Sequence, residues 1–308
     1  MITKKTVLVL GAGASRHLGF PTGTELKDQI LNYDADKIKQ SVHSDPVWGY
    51  VLSKFSYETY SKFFNGLKKS GRQAVDAFLE HRDELIDLGK ALIARILISC
   101  EREEVLFETK NNWYQYFYNK LNAKFEDFSN NNVSVITFNY DRSLEQYLLT
   151  AIQNDYGKTE QEAADVVKSI PIIHLHGNLG DLPSLAERNA RQYTQNCTPE
   201  ILQLCIDSIK IIHQRIEADP QFLQADRQLS EAEIVCFLGF GYDKINLDRL
   251  KVNRIFKGDP KIFCSSFGLS DSERMYISNY IKGNTIIDYG YNEGNDVISF
   301  LRKHSPFD

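Results

Sequence analysis

Paired cysteines are missing from this chain. Cys100, Cys197, Cys205, Cys236 and Cys264 are scattered, with no C-x-x-C among them, which argues against a zinc ribbon or finger. Cys236 and Cys264 sit inside apolar runs and read as small core residues. The odd count and irregular spacing read as reduced thiols. Long hydrophobic runs are missing too. No stretch approaches the roughly 20 apolar residues that span a bilayer. Lys4-Lys5 precedes only Thr6–Leu10 before Gly11, too short for the apolar core of a signal peptide. The expectation is a cytoplasmic protein with no membrane attachment. Excess positive charge is also lacking: the net charge is -5 and no basic run occurs, so nucleic acid is a disfavoured ligand. Internal repeats and low-complexity tracts are not seen.

What is present is a series of short, continuous apolar runs, as expected of parallel strands covered on both faces. Six are expected as strands: Thr6–Leu10, Val133–Thr137, Pro171–Leu175, Glu233–Leu238, Lys261–Ser265 and Asn284–Asp288. Helical patterns lie between them. Arg142–Ile152 carries Leu144, Tyr147, Leu148 and Ile152 on one stripe. Asp271–Lys282 starts after Ser270 with Glu273, a capping-box pattern, and Asn295–Lys303 closes the chain. Alternating strand and helix predicts an α/β, Rossmann-like doubly wound parallel sheet of about six strands.

Two inserts break the alternation. Thr24–Asn132 is more than a hundred residues long, where a crossover needs about a dozen. Its spacing (Leu85, Leu88, Leu92, Ile93, Ile96) predicts a helical subdomain or lid. Its aromatics Phe55, Tyr57, Tyr60, Phe63 and Phe64 fit either an interface or the insert's own core. Asp181–Leu229 is a second, smaller helical insert, with Leu202, Cys205, Ile206, Ile209 and Ile212 on one stripe and an interruption at Asp219-Pro220. The 308 residues read as one domain carrying both.

Four polar, glycine-bearing motifs follow four of the predicted strands: Gly11-Ala12-Gly13-Ala14-Ser15, Thr137-Phe138-Asn139-Tyr140-Asp141, His174-Leu175-His176-Gly177 and Gly239-Phe240-Gly241-Tyr242. Ligands of open parallel sheets bind outside the carboxyl ends of the strands, so the four can converge on one nucleotide. Each also has a plainer reading. The glycines suit tight turns, Asn139 and Asp141 suit helix caps, and a lone His is commonly structural. The first motif is neither G-x-G-x-x-G, since Arg16 stands at the third glycine, nor a Walker loop. His174 and His176 resemble half a metal site, but no third ligand has suitable spacing, so no metal is expected.

Taken in order on this strand pattern, the four motifs resemble the sirtuin superfamily. More narrowly, they resemble the bacterial sirtuin-like domains of antiphage defence systems that hydrolyse NAD. Asp76-Ala77-Phe78-Leu79 resembles a further motif of that branch. Protein-deacylating sirtuins carry a four-cysteine zinc module, and their first motif runs into Pro-Asp-Phe-Arg. Here Phe20-Pro21-Thr22-Gly23 follows and no such module exists.

The resemblance implies an NAD glycohydrolase that breaks the nicotinamide–ribose bond, with NAD as substrate and no further cofactor. A protein deacylase, an ADP-ribosyl transferase and a non-enzymatic nucleotide sensor are the alternatives. It implies that Asn139 positions water and ribose. Asp141 would hold the carboxamide or orient Asn139, and His176 would be the general base. Gly11, Ala12, Gly13 and Ser15, beside Thr137, would cradle the pyrophosphate, while Gly239 and Phe240 border the adenosine half. An ungated NADase would poison its host, so a homo-oligomer or a separate sensor or activator protein is expected as partner.

Overall fold

The structure, a computed structural model, describes residues 1–33, 45–186, 188–211, 219–281, 283–287 and 296–307. Six strands form one sheet: β1 (Thr6–Leu10), β2 (Val133–Thr137), β3 (Ile172–His174), β4 (Ile234–Leu238), β5 (Lys261–Cys264) and β6 (Asn284–Ile287). All pairings are parallel, in the order β3-β2-β1-β4-β5-β6. This is the strand order of the doubly wound dinucleotide-binding fold, whose direction reverses between β1 and β4. β1 pairs in register with both neighbours, Leu10 lying opposite Thr137 on one side and Leu238 on the other.

The period of two in side-chain direction sorts each central strand between two cores. Leu8 and Leu10 of β1, Val133 and Val135 of β2, and Cys236 and Leu238 of β4 join one cluster. That cluster contains the insert helices Gly23–Leu31, Pro46–Lys54, Tyr57–Lys69, Ile86–Ile98 and Trp113–Lys120. Val7, Val9, Ile136, Val235 and Phe237 face the other way, onto Pro220–Ser230, Lys244–Arg249 and Asp271–Tyr280. Each such side chain, when fully buried, contributes roughly 1.5–3 kcal/mol. The insert's core is therefore continuous with one face of the sheet. Tyr60 and Phe63 are buried, and Phe55 and Phe64 pack against the same core. Of the five aromatics, Tyr57 is the exposed one.

Differences from the sequence expectation are confined to boundaries and one helix. Pro171, which has no N–H to give, and Leu175 lie just outside β3. They still bond β2, Val135 N–H donating to Pro171 O at 2.8 Å and Leu175 N–H to Thr137 O at 3.0 Å. Glu233 and Ser265 likewise fall outside their strands. The helix expected over Arg142–Ile152 is Ser143–Tyr156, ended by Gly157 in the left-handed region. Its first residue in sequence, Arg142, is instead the N-cap. The Ser270–Glu273 capping box is formed, on a helix that ends at Tyr280. The last helix is Val297–His304. Lys282, Asp288, Asn295 and Ile212 lie outside the described residues. Asp219-Pro220 opens a helix: Asp219 caps it, its side chain accepting from Gln221 N–H, and Pro220 is the first helical residue, where a proline's missing donor costs nothing. That helix, Pro220–Ser230, covers the second face of the sheet.

Candidate functional site

The loops after β1 and β4 meet at the strand-order reversal and bond directly to each other. Gly11 N–H donates to Leu238 O at 3.1 Å and Gly13 N–H to Gly239 O at 3.0 Å. Gly239 has φ +57°, and a Cβ there would lie 2.0 Å from Ala14 N. A Cβ on Gly11 would meet the Gly239 carbonyl oxygen at 2.7 Å. These glycines are thus required by backbone-to-backbone packing of the two loops. After Gly11 the chain enters a seven-residue 3-10 helix, Ala12–Leu18.

The segment after β2 is held from every side. Asn139 N–H donates to Thr137 Oγ1 at 3.0 Å. The side-chain Nδ2 donates to Gly11 O at 3.0 Å and to Ser15 Oγ at 3.2 Å. Ser15 Oγ–H then donates to Asp141 Oδ2 at 2.8 Å. Asp141 Oδ1 accepts from Ser143, backbone at 3.2 Å and hydroxyl, and Ser143 Oγ meets Tyr114 OH at 2.7 Å. Burial raises the Asp141 carboxyl above its usual range, with Ser143 and Ser15 pulling the other way. One polar atom of the Asn139 side chain is left over: Oδ1 is buried without a hydrogen-bond partner.

His176 sits just past β3 and is 6% exposed. The Phe138 and Tyr140 rings flank it, with centroids 5.4 and 6.1 Å away. Phe240 stacks edge-on against Phe138 at 5.2 Å. The next residue, Gly177, has φ +68°, and a Cβ there would lie 2.0 Å from Ser208 O. That glycine therefore seats the loop on the 208–210 backbone and does not open it to a ligand. Burial, with the Arg249 charge second, pushes the His176 imidazole down to about 3. That keeps it neutral near pH 7, the form that can accept a proton, and makes it a weak base. Nε2, like Asn139 Oδ1, is buried and unpartnered.

His174 has different surroundings. Nδ1 lies 3.0 Å from Asn139 O and Nε2 2.6 Å from Glu145 Oε1. Burial alone would lower this imidazole, but Glu145, helped by the Asn139 carbonyl and Asp141, makes the net direction upward. Both nitrogens face protein oxygens. Among the described residues no group of three or more His, Cys, Asp or Glu side chains is arranged to hold a metal ion.

These pieces line a cleft of about 1370 Å³ along the carboxyl ends of the sheet. Of the residues singled out in the sequence, Gly11, Ala12, Gly13, Asn139, Asp141, His176, Gly239 and Phe240 line it. Ser15 and Thr137 do not; their hydroxyls are spent on Asp141 and on Asn139 N–H. Arg16 and Asp76, both noted in the sequence, also line it, together with Glu80 and Arg249. Arg16 replaces the third glycine and pairs with Glu25 at 2.8 Å. Arg249 pairs with Glu80 of the insert at 2.7 Å. Asp76 reaches from the short insert helix Val75–Leu79 to accept from Tyr140 OH, and burial raises its carboxyl. The signal available for it was the Asp76-Ala77-Phe78-Leu79 segment. Nothing in the sequence pattern marked Glu80 or Arg249.

The fold and the crevice define a Rossmann-like α/β protein with a cleft at the strand-order reversal. Residues 133–261 match the family described as the SIR2-like domain. The match spans β2, β3 and β4, with Asn139, Asp141, His176, Gly239 and Phe240, so this part of the chain is similar to the sirtuin-like superfamily. The Gly11–Ser15 loop lies before the matched span and joins it through the Asn139, Asp141 and Gly239 bonds. No curated protein matches the chain. No helix among the described residues is long and apolar enough to cross a membrane.

Proposed function

We propose that the cleft binds NAD and cleaves the bond between nicotinamide and ribose, as an NAD glycohydrolase. The observation that carries this reading is the pair of unpartnered atoms, Asn139 Oδ1 and His176 Nε2, on two strand-end segments that line one cleft. A buried polar group left unpaired costs about 1–3 kcal/mol, a cost that a ligand's hydroxyls or a bound water remove. Other buried unpaired hydroxyls, such as those of Tyr60 and Tyr193, lie singly and away from the cleft lining.

In this reading the C1′–N bond breaks with its electron pair leaving on nicotinamide. Water adds to the oxocarbenium-like carbon, giving ADP-ribose and releasing one proton. Asn139 acts as an acceptor, because its donors are engaged by Gly11 and Ser15, and Oδ1 orients the water or a ribose hydroxyl. His176 serves as a neutral hydrogen-bonding imidazole and passes the proton outward only in the transition state. Of the two roles considered for Asp141, its bonds favour orienting Asn139 through Ser15. Phe240 and Gly239 border the adenosine half. No further cofactor takes part.

By resemblance, the setting is antiphage defence inside the cell, with NAD depletion released by self-assembly or by a separate activator protein. Burial of both key atoms fits a latent state. Nicotinamide release from NAD by the purified chain, with and without acylated peptide, tests the chemistry. Peptide-independent release supports hydrolysis. Release only with the peptide indicates a deacylase, and NAD binding without release a sensor. Light scattering alongside turnover tests the gating, and full activity in a dilute monomer refutes it.

A further inference from the structure

Glu145 is a carboxylate on the inward face of Ser143–Tyr156, 9% exposed, where a glutamate normally serves no solubility purpose. Its partner is His174, the last residue of β3, an edge strand paired only with β2. Neither residue lines the cleft, so neither contacts a ligand there. What they do reach is the Asn139 peptide. His174 Nδ1 lies 3.0 Å from its carbonyl oxygen, and a carbonyl only accepts, so Nδ1 carries a proton, and Nε2 donates to the Glu145 carboxylate when the ring is charged. Glu145 Oε1, 2.6 Å from Nε2, fixes the ring's other edge.

We propose that His174 and Glu145 are a positioning pair that aims Asn139 Oδ1 into the cleft by clamping the Asn139 peptide from below. The clamp has two jaws. Thr137 Oγ1 takes the Asn139 N–H at 3.0 Å, and His174 takes its C=O. With the two peptide planes that flank its Cα both held, Cβ is fixed, and the bonds from Nδ2 to Gly11 and Ser15 then set the amide's rotation. Oδ1 is the one polar atom of Asn139 left for a ligand. A helix, an edge strand and the β1 loop are thereby tied to the orientation of one oxygen. This inference rests on the reading of Asn139 as the residue that meets the ligand.

The test compares His174→Ala, His174→Gln and Glu145→Gln with the wild type. For NAD cleavage, His174→Ala lowers kcat on the order of 100-fold, the loss expected from a displacement of about 1 Å, while KM changes little because the lost interaction belongs to the transition state. His174→Gln, whose amide still donates to the Asn139 carbonyl, recovers part of that loss, and Glu145→Gln falls between. A purely structural role would lower the melting temperature of all three and leave kcat per folded molecule unchanged, which overturns the proposal. Crystal structures of His174→Gln and Glu145→Gln give a readout independent of turnover. A shifted Asn139 amide in Glu145→Gln and a retained one in His174→Gln support the clamp, and an unmoved Asn139 in Glu145→Gln refutes it. Absence of nicotinamide release from the wild type would refute the NADase reading alone, because the Asn139 geometry is still read from the structures.

Discussion

At Asp141-Arg142 the chain passes from one kind of buried polar cluster to another. Arg142, 1% exposed, donates Nε and one terminal nitrogen to the Glu101 carboxylate at 3.1 and 2.9 Å. Its remaining donors go to the carbonyls of Gly180, Asp181, Arg191 and Gln192. Arg191 completes the group with a 2.6 Å bond to Glu101 and another to Leu179 O. Every guanidinium donor of Arg142 is engaged, and Glu101 is fully buried. On the other side of Asp141, Asn139 and His176 are also buried, yet each keeps one polar atom unmet. Both clusters are polar, desolvated and built from separated parts of the chain. Saturation distinguishes them. A buried network with all partners present rigidifies the fold, whereas unmet atoms on two residues that line one cleft are what the proposed ligand would satisfy.

The comparison breaks most readily at Glu101. Glu101→Ala strands two buried guanidiniums, and removal of one member of a buried ion pair costs about 3–5 kcal/mol. Urea denaturation should show that loss. A change under about 1 kcal/mol would mean the hub is ornamental. Replacing all three charges with apolar side chains should not restore stability as it does in simpler ion triads, because the carbonyls at 179–181 and 191–192 would then lose their donors.

Asn139→Ala should separate activity from stability. Turnover of NAD is expected to drop about 100- to 1000-fold, the loss typical of one preorganised polar group. Stability should fall by no more than about 1 kcal/mol, since the two hydrogen bonds lost, about 1 kcal/mol each, are partly offset by removal of the unmet Oδ1. Melting curves and initial rates on one preparation decide it. Equal losses in both would make Asn139 a structural residue like Arg142.

The sequence exposes these two clusters unequally. β1, β2 and β4 are legible because five-residue apolar runs end in glycine or Asn-x-Asp, and the structure places them at those residues. The cleft motifs are legible for the same reason: a ligand site at strand ends must be written in short contiguous pieces. The hub is not. Glu101, Arg142 and Arg191 each look like surface charges, and only the three-dimensional path of the two inserts brings them together. Asp219-Pro220 was readable as a helix start from its cap and proline, but the stripe ahead of it drew the boundary elsewhere. The glycines stand out in the sequence, whereas their cause, packing of the β1 and β4 loops on each other, joins residues far apart in the chain.

His176 offers a smaller, pH-dependent contrast. Its folded value near 3 lies below the unfolded value of about 6.5. The unfolded chain therefore binds the proton first, and this residue's contribution falls as pH drops from about 6.5 toward 3, by about 1.4 kcal/mol per unit. His174, Asp76 and Asp141, all shifted upward, act in the opposite sense: their contributions are largest in acid and decline as pH rises through their folded values. The expected result is a difference. His176→Phe should be less acid-sensitive than wild type between pH 6 and pH 4 in denaturation experiments, and identical slopes would show that His176 protonates freely in the folded state. For the same reason, wild-type kcat/KM should lack a limb rising near pH 6.5.

Tyr140→Phe should give the smallest effect and the sharpest version of the comparison. Tyr140 OH donates to Asp76, the carboxyl that the insert sends into the cleft. In a saturated hub the loss of one hydrogen bond appears as stability. In a cluster kept for a ligand it should appear as affinity, because the released carboxyl gains a place to bond the incoming molecule or water. Folding should weaken by no more than about 1 kcal/mol, the net value of a typical hydrogen bond. NAD affinity should shift several-fold, read by calorimetry in an Asn139→Ala background so that turnover does not consume the ligand. A stability loss with unchanged affinity would place the Asp76–Tyr140 bond with the hub, as a strap fastening the insert to the sheet.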